Sequence, residues 1–213
     1  MKRRILWLVL AAVLFALAGC GGGDDRPVFE TTIASDPSVD GDILRDGTTG
    51  GLTITIPGGG PGATLLAGVD AATDDEYRAF LDFPLDSIPL NAVIQSATLN
   101  IVVRNLSTSP PDSSIPLLVE LVFFDPPLTG SDFDSAVLLP LSSTQTLRTI
   151  SPVHVNDFGG VDINVTSLMV EAQARGLSSF QVRLLEDFVT TPLGIVTIDD
   201  SDANPPQLRV LYF

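Results

Sequence analysis

The chain has 213 residues, a formal net charge of −15 and single cysteine, tryptophan and histidine residues. Such an acidic chain repels phosphate backbones, which excludes nucleic acid as a partner class. One histidine and one cysteine cannot assemble a zinc site, and a lone cysteine cannot close a disulfide within one molecule.

The first residues fall into three parts. Met1-Lys2-Arg3-Arg4 is basic, Ile5 to Ala16 is almost wholly apolar, and Leu17-Ala18-Gly19-Cys20 leads into the polar run Gly21-Gly22-Gly23-Asp24-Asp25. A basic head, an apolar centre and small residues at the cut mark a secretory signal over residues 1–19. The apolar run is shorter than the roughly 18–20 residues a spanning helix needs; an uncleaved anchor is the alternative reading. Leu17-Ala18-Gly19-Cys20 looks like the bacterial lipobox, which makes Cys20 the acylated N-terminus of an exported chain. Acyl chains on Cys20 would hold it to a membrane, since each buried methylene contributes about 0.8 kcal/mol. Gly21 is not the aspartate that retains enteric lipoproteins at the inner membrane, so the outer membrane is favoured. Cleavage removes Lys2, Arg3, Arg4 and Trp7, leaving a chain with no lysine and no tryptophan.

Residues 20–28 read as the lipidated cysteine and a flexible tether, because glycine and charge cannot pack a core. Residues 29–213 read as a single domain of strands and turns. Leu52 to Ile56 is a candidate strand, closed by a glycine- and proline-rich loop. Tyr77 to Phe83 is another, stopped by Pro84. Ala97, Leu99, Ile101 and Val103 alternate with Thr98, Asn100, Val102 and Arg104, the period of a sheet with one buried face. Leu117 to Phe124, Phe180 to Leu184, Gly194 to Ile198 and Leu208 to Phe213 complete the set, with long loops at 57–75, 125–135 and 151–160. Leu168, Met169 and Ala172 fall instead at helical spacing. They predict one short helix over 166–175, with Thr166 as N-cap and Gly176 as the residue after the C-cap. This pattern predicts an all-β fold, a jelly-roll or Greek-key β-sandwich with one short helix.

Little in the chain suggests catalysis. His154 is the only histidine and lies in a loop-like stretch, and no serine sits in a G-x-S-x-G elbow. The glycine-rich loop at 57–62 lacks the lysine of a phosphate cradle. Acidic clusters remain: Asp36, Asp40 and Asp42 around Gly41; Asp70, Asp74, Asp75 and Glu76; and Asp199, Asp200 and Asp202 between the last two strands. Calcium takes six to eight oxygen ligands, and Asp199, Asp200 and Asp202 are the best candidates to supply them. Solvated turns are the other reading of the same residues.

Three stretches together carry a resemblance. Tyr77-Arg78-Ala79-Phe80-Leu81-Asp82-Phe83-Pro84-Leu85 runs on through Ile94-Gln95-Ser96-Ala97-Thr98-Leu99. Val161-Asp162-Ile163-Asn164-Val165-Thr166 leads into the helix. Pro206-Gln207-Leu208-Arg209-Val210-Leu211-Tyr212 closes the chain. In this order they resemble the DNRLRE-type domains, secreted bacterial and archaeal β-sandwich modules related to carbohydrate-binding jelly rolls. The resemblance covers roughly residues 30–213. It implies a non-catalytic binding module, with a polysaccharide as its ligand. The chain departs from the pattern at Ala172-Gln173-Ala174, where family members usually carry an aromatic. The competing expectation is a structural lipoprotein that contacts an envelope protein and takes no small ligand.

Overall fold

The computed structural model describes residues 26–187 and 192–213. Among them are thirteen strands and one α-helix. In chain order these are β1 (Phe29–Ala34), β2 (Gly41–Arg45), β3 (Leu52–Thr55), β4 (Thr64–Val69), β5 (Glu76–Pro84), β6 (Ile94–Ile101), β7 (Val103–Ser109), β8 (Ile115–Val122), β9 (Thr146–Ile150), β10 (Val161–Asn164), α1 (Thr166–Ala174), β11 (Ser179–Glu186), β12 (Leu193–Asp199) and β13 (Gln207–Tyr212).

The strands form two antiparallel sheets. The smaller has the order β1-β13-β6-β10. The larger runs β7-β12-β4-β5-β11-β8-β9, with β2 paired to β5 and β3 outside β2. Neighbours such as β1 and β13, or β5 and β11, are far apart in sequence, so the chain crosses repeatedly between sheets in the Greek-key manner. The expected all-β sandwich with one short helix is the fold observed.

Alternation explains where the core sits. Ala97, Leu99 and Ile101 of β6 and Leu208 and Val210 of β13 are buried and face Leu65, Leu81, Phe83, Val182 and Leu184 of the larger sheet. Each fully buried leucine or phenylalanine contributes about 1.5–3 kcal/mol, and a one-residue slip would turn the whole set outward. Such a pattern therefore fixes register. The outer face of the larger sheet carries a second, smaller core of Ile43, Phe80, Val122, Phe124, Leu128 and Phe133. That is why β5 and β11 are buried along nearly their whole length, polar residues included: both faces are covered.

Several sequence expectations need correction. The alternating run from Ala97 to Arg104 is two strands in two sheets. β6 ends at Ile101 in the small sheet, and β7 starts at Val103 in the large one. Val102 makes the crossing, and its carbonyl accepts the Asp199 N–H at 2.8 Å. The period of two survives the crossing, so it gives no sign of a change of partner. The expected loop 57–75 contains β4. Thr166 is the first helical residue and Val165 is the N-cap. The Thr166 hydroxyl instead accepts the Ala97 N–H at 3.0 Å, and Asn164 Oδ1 accepts the Thr166 N–H at 3.0 Å. At the other end Gly176 behaves as expected. It has φ +67° and its N–H meets the Gln173 carbonyl, while the Leu177 N–H meets that of Ala172. This pair of bonds is the Schellman closure.

Candidate functional site

The outward face of the small sheet presents polar side chains in ordered rows. Pairing places Asp162, Asn100 and Gln207 side by side, and next to them Asn164, Thr98, Arg209 and Thr32. The same alternation that sends Leu99 and Leu208 inward sends Thr98, Asn100, Gln207 and Arg209 outward. These residues floor a groove of about 330 Å³. Phe158 and Gly159 form one wall and Ala203-Asn204-Pro205 another, with Glu30 at the rim of β1.

The groove is tied together across strands. Asn100 Nδ2 donates to Asp162 Oδ1 at 2.8 Å and to the Gly159 carbonyl at 3.1 Å. Arg209 lies between two carboxylates, with Nη2 3.5 Å from Asp162 Oδ2 and Nε 4.0 Å from Glu30 Oε1. Gly160 has φ +74°, and a Cβ there would come within 2.3 Å of Asn100 Oδ1. The loop can close on Asn100 only through glycine. Phe158 keeps 67% of its surface exposed, and the Arg104 guanidinium sits 5.9 Å from its ring centre. An exposed ring beside amide, hydroxyl and carboxylate groups suits a polyhydroxylated ligand: the ring stacks while the polar floor exchanges hydrogen bonds.

The three residues expected to bind calcium point to different partners. Asp199 ends β12, and its Oδ2 pairs with Arg104 Nη2 at 2.7 Å. Its Oδ1 accepts the Ser201 hydroxyl at 2.8 Å and N–H at 3.2 Å. Asp202 is exposed, and its N–H meets the Gly59 carbonyl. Asp200 is fully buried and turns toward Asp40, which is fully buried as well. Among the described residues no three Asp, Glu, His or Cys side chains gather as a ready metal-ligand group.

Asp40 stands just ahead of β2, where Asp36 and Ser35 precede it. Burial pushes its carboxyl up to about 9; bonds from Ser35 and the Asp82 N–H offset part of this, and Asp200 adds to it. Burial likewise raises Asp200 to about 6, aided by the charges of Asp199 and Asp202. Asp42 is a strand residue of β2 and not part of a loop. Burial raises it to about 6 against the bond it accepts from Leu66. Glu76, expected ahead of a strand, opens β5 and is paired with Arg45 and Arg78.

His154 occupies a one-turn 3-10 segment, Pro152–His154. Its Nδ1 accepts the Ser151 N–H at 3.1 Å, so the ring closes its own turn. Cys20 and the signal segment fall outside the described residues. Within those residues no helix is long and apolar enough to cross a membrane.

The groove residues were not singled out as a site in the sequence, although two signals pointed there. Alternation already made Thr98 and Asn100 outward-facing, and Asp162 and Arg209 belonged to the motifs of the resemblance. Phe158 carried no signal, because an aromatic in a glycine-flanked loop can equally be buried. No protein-family model matches the chain, and no curated protein is significantly similar to it.

Proposed function

We propose that this chain is a non-catalytic glycan-binding module, exported and held at a membrane, with the outer membrane favoured, by lipid on Cys20. The observation that carries the reading is the groove on the small sheet. It combines one exposed ring, Phe158, with a floor of hydroxyl, amide and charged groups. The resemblance to DNRLRE-type domains supports the same ligand class. Arg209, the cation of the groove floor, is flanked by Asp162 and Glu30. That balance favours a neutral polysaccharide over an acidic one.

Affinity electrophoresis through gels cast with neutral and acidic polysaccharides tests this. Retardation by a neutral polysaccharide is expected. Phe158→Ala should weaken it by roughly tenfold, in line with about 1–1.5 kcal/mol for a stacking ring. Asn100→Ala, which disconnects the floor, should weaken it further. Migration unchanged across a broad polysaccharide panel would sink the proposal.

A second reading rests on β3. All four of its residues are exposed, and Leu52 and Ile54 stand open on a strand whose one partner is β2. Such an edge can accept a strand from another protein. On that reading the chain is a structural lipoprotein of the envelope. Photo-crosslinkers at Thr53 and Thr55 that capture one specific envelope protein would favour it.

A further inference from the structure

We propose that Asp40 and Asp200, together with the Ser35 hydroxyl, bind a calcium ion that ties the turn after β1 to the turn after β12. Four oxygens of these side chains are buried with no hydrogen-bond partner outside this group of three residues: Ser35 Oγ, Asp40 Oδ2 and both Oδ atoms of Asp200. Asp40 and Asp200 have no exposed surface and Ser35 only 4%. Buried polar atoms are almost always paired, and a cluster that is not calls for an ion or water.

The scaffold around these oxygens is fixed by backbone bonds. The Ser35 N–H meets the Pro206 carbonyl at 3.0 Å, and the Asp200 N–H meets that of Ala63 at 3.0 Å. Asp40 Oδ1 is occupied by the Asp82 N–H at 2.7 Å, which leaves Oδ2 free to face Asp200. Arg104 is engaged with Asp199. Without a cation, two buried carboxyls can coexist only by retaining a proton, and burial raises the pKa of both. A metal displaces that proton.

The donor set is all oxygen, which excludes soft metals. Calcium accepts irregular oxygen cages, with backbone carbonyls or water filling the remaining positions, whereas magnesium demands near-octahedral geometry and keeps several waters. A site with no exposed carboxylate surface favours calcium. Asp200 is followed by Ser201, Asp202 and the groove wall Ala203-Asn204-Pro205. Calcium binding is nevertheless tested here without any glycan.

The experiment uses the full chain in detergent, stripped with chelator and then dialysed against radioactive calcium at about 1 mM, within the range of extracellular sites. A single calcium should be retained, and Tm should rise by about 5 °C or more once calcium is in large excess over Kd. Asp40→Asn and Asp200→Asn should lose both effects. Asp202→Asn, altered at an exposed position, should keep them. Ser35→Ala, which changes no charge, should weaken calcium about tenfold and guards against a misfolded aspartate variant. No calcium retained by the wild-type chain overturns the proposal. So does calcium retained undiminished by both asparagine variants. An equal shift with magnesium alone overturns the choice of calcium.

Discussion

Four carboxyls, those of Asp40, Asp42, Glu186 and Asp200, are held above their ordinary range by burial, at about 9, 6, 7 and 6. In an unfolded chain such groups lose their protons near pH 4. Between that point and about 9 the folded chain therefore holds more protons than the unfolded one, and stability falls as pH rises. In chelator, the urea midpoint should be highest near about pH 5 and decline steadily to about pH 8. Asp42→Asn should remove one carboxyl's share of that slope between about pH 4 and about 6 and leave the rest. A midpoint that rises over the same range would refute this assignment. None of the four shifts was visible in the sequence. Aspartate beside glycine and proline reads as a solvated turn, and burial of Asp40 and Asp200 comes from two turns, 160 residues apart in the chain, meeting at one place. The same holds for the groove: outward-facing Thr98 and Asn100 were legible, but their neighbours across the sheet, Arg209 and Asp162, follow from a pairing order that periodicity does not encode.

At the scale of the element, β5, β8 and β11 carry charged side chains on the outer face of the larger sheet, beneath the 128–145 segment. Arg183 of β11 has no exposed surface. Its Nη2 and Nε donate to Glu120 Oε2 of β8 at 2.6 and 3.0 Å, and its Nη1 reaches the Asp132 carbonyl at 3.2 Å. Gln145 Nε2 closes the far side of Glu120 at 2.8 Å. Beside this pair Arg78 bonds Glu76 and the Phe133 carbonyl, with its guanidinium over the Phe133 ring. The segment is thus tied down by buried cations as well as by Leu128 and Phe133. Glu120→Ala leaves the Arg183 charge unpaired, and should lower stability by about 3–5 kcal/mol. Glu120→Met combined with Arg183→Met should recover most of that loss, because replacing both partners removes the unpaired charge. Urea titrations of the single and double variants measure the difference. A single variant as stable as the wild type would show that Arg183 reaches water. In the sequence, Glu120 is the one charged residue in the apolar run from Leu117 to Phe124, which reads as a polar position on one face of a strand. What hid its role is that both faces of that strand are buried, so polar here did not mean solvated.

The whole molecule acquires a polarity from the way β1 enters it. Phe29 stacks on Tyr212 at 5.9 Å, and the Arg26 guanidinium lies over the Phe213 ring at 4.2 Å. Val93 pairs with Phe213 through its backbone and stays exposed, as does Leu90. The chain therefore enters the domain at this aromatic end. From there β1 runs to Ala34, which is paired with Gln207 in the groove floor. Five residues of strand put the Gln207 end of the groove roughly 17 Å from Phe29. Between Cys20 and Arg26 the chain reaches at most about 20 Å when fully extended. If Cys20 is lipidated as proposed, the Val93 end lies close to the bilayer and the Asn204 end of the groove points away from it. A fluorophore on Val93→Cys should then be quenched by lipids bearing a headgroup nitroxide, and one on Asn204→Cys much less. The labelled proteins must be compared in the same vesicles, with Cys20 already acylated so that it takes no dye. Equal quenching at both positions would mean that the tether lets the domain tumble. Stronger quenching at Asn204 would turn the groove toward the membrane and make a lipid-linked glycan its nearest ligand. The expected order leaves the groove open to a polymer approaching from the aqueous side, which is the geometry a polysaccharide-binding lipoprotein needs.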